Sequence, residues 1–257
     1  MLPTELPPQR VWVFDFDGTL SFLVPDRNAA VLLPEAREVL STLVRQPRQG
    51  VAVLSSRMLD DLITRIGIDG LYLGGGSGAE WFLPGGERRT AVRKTQRLES
   101  ARNAVIPELE KLSGIQGVDL EDKKWSVAVH VRHVLSDDRT RVSEFLGALS
   151  RTAGIRLLRG PEVFEIQLLP EIDKLFGVMI LCEMLHFVPV PGSLVYAGDD
   201  ENDALVMRWV LRKGGTALSV GRDPIIPGAV VLEHPAALVT EVRRLAGLNA
   251  ERQEVPR

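Results

Sequence analysis

The stretch from Val11 to Leu20 restricts the possible folds of this chain more than any other. Val11-Trp12-Val13-Phe14 is an unbroken apolar run, and Asp15-Phe16-Asp17-Gly18-Thr19-Leu20 follows it directly. A short run of β-branched and aromatic residues reads as a strand buried on both faces. Asp15 and Asp17 then stand at its C-terminal edge, where open α/β sheets bind ligands. Side chains two apart on a strand point the same way, so the two carboxylates are expected to converge on one point. Anions that close repel unless they share a proton or a cation, which calls for a ligand such as Mg²⁺. A solvated Asp-Gly turn after a core strand is the plainer alternative.

The surrounding sequence has the alternation of a parallel sheet. Pro34 opens an apolar-periodic segment through Leu43 that predicts a helix. Gly50 to Leu54 predicts a second buried strand, ending at Ser55-Ser56-Arg57. Met58 to Ile66 predicts a short amphipathic helix stopped by Gly67, and Leu71-Tyr72-Leu73 a third strand entering Gly74-Gly75-Gly76. Strands alternating with helices imply right-handed crossovers.

Between residues 85 and 171 the pattern changes. Gly85-Gly86 signals a turn, residues 96–112 form a charged amphipathic helix, and Trp125 to Arg132 alternates with period two, as a strand buried on one face does. Asp137 to Arg151 reads as a helix, and Glu162 to Leu168 alternates again. The buried-strand pattern returns at Ser193 to Ala197, with Asp200 or Asn202 placed to cap a helix running to Arg212. Thr216–Val220 and Ala229–Leu232 predict the last strands, and Ala236 to Leu245 a final helix. The expected division is a core of residues 1–84 and 172–257 with an inserted α+β cap at 85–171 and a frayed tail at 248–257.

Bulk composition narrows the function classes. The 257 residues are 45% hydrophobic and 25% charged with a net charge of -3, so nothing electrostatic points to nucleic acid or an anionic membrane. The single cysteine, Cys182, excludes an internal disulfide and a Cys-rich zinc site, and in its apolar surroundings reads as buried and inert. Met1 to Arg10 has three prolines and no apolar core, unlike a secretory signal. No apolar run approaches the ~20 residues of a membrane helix. A soluble cytoplasmic protein, monomeric by default, is the expectation.

Four segment ends carry chemistry: Asp15 with Asp17, Ser55, Lys174 opening the helix after the insertion, and Asp199 with Asp200 and Asp203. Several acids, a hydroxyl and a lysine in one place suit phosphoryl transfer through an aspartyl phosphate. One carboxylate attacks phosphorus, a second handles the proton of the leaving alcohol and of water, and cations offset the accumulated negative charge. Taken singly, Ser55 also reads as a helix N-cap before Met58, Lys174 as a solvated lysine, and Asp203 as a favourable charge at a helix N-terminus.

These residues carry a resemblance. Asp15 to Leu20 resembles motif I of the haloacid dehalogenase superfamily, Ser55 motif II, Lys174 motif III, and Gly198-Asp199-Asp200-Glu201-Asn202-Asp203 motif IV, in the family order. The resemblance implies a Rossmann-like α/β core with a parallel sheet and an inserted type 2 cap. It implies Asp15 as nucleophile, Asp17 as general acid/base, and Ser55 and Lys174 on the phosphate. Mg²⁺ is implied between Asp15, the backbone carbonyl of Asp17 and Asp199, with Asp200 or Asp203 assisting.

Within that superfamily the chain is similar to the trehalose-6-phosphate phosphatase family over most of its length. Ser55-Ser56-Arg57 is close to that family's Ser-Gly-Arg, and Glu121-Asp122-Lys123 followed by His130-Val131-Arg132 follows its Glu-x-Lys and His-x-Arg pattern. Glu162 to Glu165 leading into Lys174 resembles its last cap strand. The resemblance implies a sugar phosphate as substrate, with Arg57, Ser77, Glu80, Lys123, His130, Arg132 and Glu165 on the substrate side. Lys123 and Glu165 would face sugar hydroxyls. Where the family has Gly-Asn-His-Gly-x-Glu, this chain has Gly75-Gly76-Ser77-Gly78-Ala79-Glu80. Gln167 stands where arginine is usual, and Leu175 where glycine is usual. The catalytic set is intact and the recognition set is altered. Other glycosyl or compatible-solute phosphates, a phosphomutase and a non-catalytic sugar-phosphate sensor are the alternatives.

Overall fold

The computed structural model describes residues 6–24, 26–92, 96–160 and 162–248. The expected frayed tail falls, beyond residue 248, outside them. The chain begins β1 (Arg10–Phe14), α1 (Pro34–Leu43), β2 (Gln49–Leu54), α2 (Leu59–Ile66), β3 (Tyr72–Gly75). β1 runs parallel to β2, and β2 to β3. Side chains of β1 alternate between two cores. Trp12 and Phe14 pack on one face of the sheet, Val11 and Val13 on the other, and all four are buried. That two-sided burial is why the strand reads as continuous apolar sequence.

Two short strands not foreseen from the sequence follow, β4 (Glu80–Phe82) and β5 (Arg88–Thr90). They pair antiparallel and extend the core sheet beyond β3. Gly85 and Gly86 both have positive φ (95° and 92°), the backbone that a tight hairpin turn demands. The turn therefore folds a hairpin onto the sheet edge instead of opening the insertion, and the core sheet continues past the expected boundary at residue 84. β5 is exposed along its length and carries two arginines, so no hydrophobic signal marks it.

The inserted layer comprises α3 (Gln96–Glu110), β6 (Asp119–Asp122), β7 (Ser126–His130), α4 (Ser136–Ala153), β8 (Arg156–Arg159) and β9 (Val163–Gln167). Its four strands form an antiparallel sheet in the order β6-β7-β9-β8. Val127, Val129, Phe164 and Ile166 on one face pack with Leu98, Val105, Val142 and Leu146 of the two helices. The opposite face carries most of the polar residues in two cross-strand rows: Glu121 and Glu165 with Ala128 and Leu158 in one, and Ser126, Gln167 and Arg156 in the next.

The core resumes with α5 (Lys174–Met184), β10 (Leu194–Gly198), α6 (Ala204–Arg212), β11 (Thr216–Val220), β12 (Val230–Leu232) and α7 (Pro235–Leu245). The eight-stranded sheet has the order β12-β11-β10-β1-β2-β3-β4-β5. Successive strands leave β1 toward β3 on one side, and β10 toward β12 on the other. β1 and β10 are parallel neighbours, with Phe14 opposite Ala197. Their C-terminal ends are the switch point where connections diverge and leave a crevice. Among the described residues, no helix is long and apolar enough to cross a membrane.

Candidate active site

The crevice between β1 and β10 holds the acidic residues. β1 stops at Phe14, and the chain then tightens, with the amides of Leu20 and Ser21 donating back to the Phe16 carbonyl. Gly18 makes this turn at φ +76°, and a Cβ there would lie 2.0 Å from Asp199 Oδ2, so the two motifs approach only because residue 18 has no side chain. One oxygen each of Asp15, Asp199 and Asp203 lies within 4.8 Å of the others. Lys174, at the first position of α5, reaches into the same place from below the insertion. Its Nζ donates to Asp15 Oδ1 at 2.7 Å and to Asp203 Oδ1 at 2.6 Å, and all three side chains are buried. A solvated role for Lys174 is thereby excluded.

Burial sets the electrostatics. It pushes Asp15 up to about 7, with Lys174 pulling down and Asp203, Asp200 and Asp17 adding to the rise. Asp199 is pushed up to about 9 by burial and then by Asp15, Asp200 and Asp203. Asp200 rises to about 6, mainly by burial. Burial disfavours the Lys174 ammonium, but Asp15 and Asp203 outweigh it and hold the group well above its usual range. Three carboxylates facing one ammonium leave a net negative cluster of oxygen donors, a set suited to a hard divalent cation.

The acidic residues do different work. Asp203 Oδ1 also accepts the Tyr196 hydroxyl, and Oδ2 accepts the amides of Asp199 (3.1 Å) and Asp200 (3.2 Å). Its carboxylate is spent on shaping the loop and fixing Lys174. Asp200 caps the short 3-10 turn Glu201–Asp203, accepting Asn202 N at 2.8 Å and Asn202 Nδ2 at 3.0 Å. Asp200, not Asn202, is therefore the cap of this turn, and α6 follows it with no side-chain cap of its own. Asp17 stands outside the 4.8 Å group of Asp15, Asp199 and Asp203, and both of its oxygens accept from Arg57, each at 2.7 Å. The strand ends before Asp15, so the alternation that would have aligned the pair no longer applies.

Arg57 is accordingly not a free substrate ligand. Nη1 also donates to Asp61 and Nη2 to the Arg27 carbonyl, both at 2.7 Å. Burial opposes its charge, yet Asp17 and Asp61 keep it firmly protonated. Ser55, also buried, accepts from the Arg57 amide at 3.1 Å. It does not cap α2, whose N-cap Met58 makes no side-chain bond; Ser55 instead shapes the turn that presents Arg57.

The polar face of the cap sheet covers this crevice. Glu165 accepts from Lys123 Nζ at 3.0 Å and from Ser126 Oγ. Burial alone would lower the Lys123 ammonium, but Glu165 and Glu121 hold it above its usual range. His130 faces Glu121 at 3.2 Å, and both meet Arg27 of the core. Glu80 is bound to Lys124, and Arg132 to Glu162. A cleft between cap and core is lined by Gly76, Ser77, Trp125, Ser126, Glu165, Gln167 and Lys174, among others. Of the expected substrate-side residues, Ser77 and Glu165 line it, with Lys123 on Glu165. Arg57, Glu80, His130 and Arg132 do not; each is held by the partners named above.

A family model described as trehalose-phosphatase matches residues 13–224. The chain belongs to the trehalose-phosphatase family. A trehalose-phosphate phosphatase of Mycobacterium bovis (strain BCG / Pasteur 1173P2) is 34% identical over 194 residues, which is 74% of this chain and 48% of that protein. One of Mycobacterium marinum is 32% identical over 254 residues, covering 93% of this chain and 62% of its own. The chain thus spans about half to three fifths of the length of these relatives. Among solved structures, the C-terminal domain of a Candida albicans trehalose-6-phosphate phosphatase superposes with a TM-score of 0.77 at 18% identity, covering 95% of this chain and 94% of that one. A trehalose-6-phosphate phosphatase related protein gives 0.74 at 15% identity, covering 93% and 97%. At such identities these likenesses establish the fold, a haloacid dehalogenase-type core with its cap.

In this trehalose-phosphatase family member, several site residues carry no signal that a motif supplies. Asp61 lies four residues after Arg57, one helical turn on, the only hint that it steadies the guanidinium. Tyr196 sits mid-strand in β10 and reads as core, although its hydroxyl reaches Asp203. Arg27 opens a short 3-10 turn, Arg27–Ala29, of unremarkable sequence and joins core to cap through Glu121.

Proposed function

We propose that this protein is a Mg²⁺-dependent phosphatase that hydrolyses a sugar phosphate, with trehalose 6-phosphate as the leading substrate. The observation that carries the reading is the buried Asp15–Lys174–Asp203 cluster, with Asp199 beside it, at the β1/β10 switch point. An isolated buried charge cluster is costly, and phosphoryl transfer is the chemistry that makes use of one. Intact candidates for nucleophile, acid/base and phosphate contact also favour an enzyme over a sensor.

Asp15 is the nucleophile that attacks phosphorus and becomes the aspartyl phosphate. Asp17 protonates the departing alkoxide and then takes a proton from the water that attacks the phosphoryl group, restoring Asp15. Arg57 grips both oxygens of Asp17 and orients it; it is a positioning residue. Lys174 and the Ser55 hydroxyl hold phosphoryl oxygens. Mg²⁺, held by Asp15, Asp199 and the Asp17 carbonyl, would offset the negative charge shared by nucleophile and phosphate.

Incubation with trehalose 6-phosphate and Mg²⁺ is expected to release inorganic phosphate and trehalose in equal amounts. Phosphate reappearing on another sugar position would identify a mutase, and turnover restricted to other glycosyl phosphates would reassign the substrate. A second test reads stability. Asp15 and Asp199 bind protons more tightly in the folded chain than in the unfolded one, so their contribution is full at low pH and is lost as pH rises through about 7 and about 9. In chelator, the melting temperature is expected to fall between pH ~6 and ~9, and saturating Mg²⁺ should remove most of that slope. A slope indifferent to Mg²⁺ would contradict the assignment of the cation site.

A further inference from the structure

Two residues that line the cleft each carry a buried polar atom without a partner. Trp125 Nε1 and Gln167 Oε1 make no hydrogen bond among the described residues, although the two residues are only 4% and 7% exposed. A third such atom, Arg139 Nε, belongs to α4 and is not part of the cleft lining. Leaving a buried donor or acceptor unmade is expensive, so two beside one cleft call for a ligand that completes them.

Their surroundings define the chemistry of that ligand. The Trp125 indole lies directly over Gly76, where a Cβ would come within 2.5 Å of Cδ1, so the missing side chain at 76 is what admits the ring. Lys124 Nζ sits 5.1 Å above the same ring and is itself bound to Glu80. The indole is fixed between floor and cation with its N–H unspent. Gln167 sits across from Ser126 in the same cap row. The two cations lining the cleft are already committed, Lys174 to Asp15 and Asp203, and Arg156 to Asp173 at 3.1 Å. Glu165 and Asp173 are in turn paired with Lys123 and Arg156, and Glu201 adds negative charge to the wall. A second anionic group on the ligand would meet carboxylates there, whereas hydroxyls can donate to Gln167 and accept from the indole.

We propose that Trp125 Nε1 and Gln167 Oε1 form a hydroxyl-reading subsite for the uncharged polyol half of the phosphate ester. The proposal rests on the phosphatase reading above and adds the residues that set its specificity. The subsite selects a neutral, hydroxyl-rich leaving alcohol and rejects bisphosphates.

The test compares wild type, Trp125→Phe, which deletes the N–H and keeps a ring, and Gln167→Met, which deletes the amide and keeps the length. Substrates are trehalose 6-phosphate, glucose 6-phosphate, glucosylglycerol phosphate and fructose 1,6-bisphosphate, with p-nitrophenyl phosphate reporting chemistry without a polyol. For the best neutral sugar phosphate, the ratio of its kcat/KM to that of p-nitrophenyl phosphate is expected to drop roughly 5- to 10-fold in each variant, through KM, as loss of one hydrogen bond implies. Trp125→Phe also removes packed ring atoms, so its melting temperature is expected to fall; a merely structural indole would lower turnover of both substrates alike and leave the ratio unchanged. An unchanged ratio in both variants, or wild-type preference for the bisphosphate, overturns the subsite. No phosphate release by wild type from any ester defeats the phosphatase reading itself, and the subsite with it.

Discussion

Asp15→Asn is expected to lower phosphate release by at least about 10³-fold while leaving the fold intact. Asparagine matches the shape of aspartate but offers no carboxylate to attack phosphorus. The charge it removes is one that burial already disfavours, as the rise of Asp15 to about 7 records. Lys174 also donates to Asp203, at 2.6 Å, and that bond does not depend on Asp15. Activity and stability should therefore separate: a steady-state assay shows the collapse, and thermal unfolding at neutral pH shows a midpoint within about 3 °C of wild type. A variant that retained a tenth of wild-type turnover would remove Asp15 from the chemistry.

Lys174→Met should be damaging in both respects. The ammonium is 4% exposed and lies between Asp15 and Asp203, so its removal strands two buried carboxylates. Breaking a buried pair on one side costs about 3–5 kcal/mol, which for a chain of this size lowers the melting temperature by roughly 10 °C. The missing cation raises the Asp15 carboxyl further, so the deficit is greatest at high pH and shrinks as acid protonates it. Turnover is expected to fall at least about 100-fold, since the phosphate loses a charged donor. Thermal melts at pH 5 and pH 8 read the first effect, and phosphate release reads the second. Equal deficits at the two pH values would mean that packing, not charge, is what Lys174 supplies.

What could be read in advance depended on whether a residue's role is local. Val11 to Phe14 is apolar on both faces because both faces are covered, so the strand announces itself and places Asp15 at its end. Asp199 follows from β10 in the same way. Asp17 is legible as a site residue but not its engagement with Arg57, because β1 ends at Phe14 and the strand period does not extend to the pair. Gly85-Gly86 was recognised as a turn but not as a hairpin, since β5 has no buried residue to mark it. β6 and β8 are short and rich in charge, and their pairing is fixed only by β7 and β9. Trp125 and Gln167 look like ordinary members of alternating strands. Their unspent polar atoms exist only because Gly76 and the cap rows close around them, which no local pattern encodes.

The central claim is that Asp15 carries the phosphoryl group, and acid-quenched mass spectrometry during turnover of trehalose 6-phosphate with Mg²⁺ tests it most directly. The account predicts a phosphoryl adduct on the peptide containing Asp15 in wild type, and none in Asp15→Asn. Active wild-type enzyme with no such adduct at any quench time, or an adduct on another residue, would contradict it.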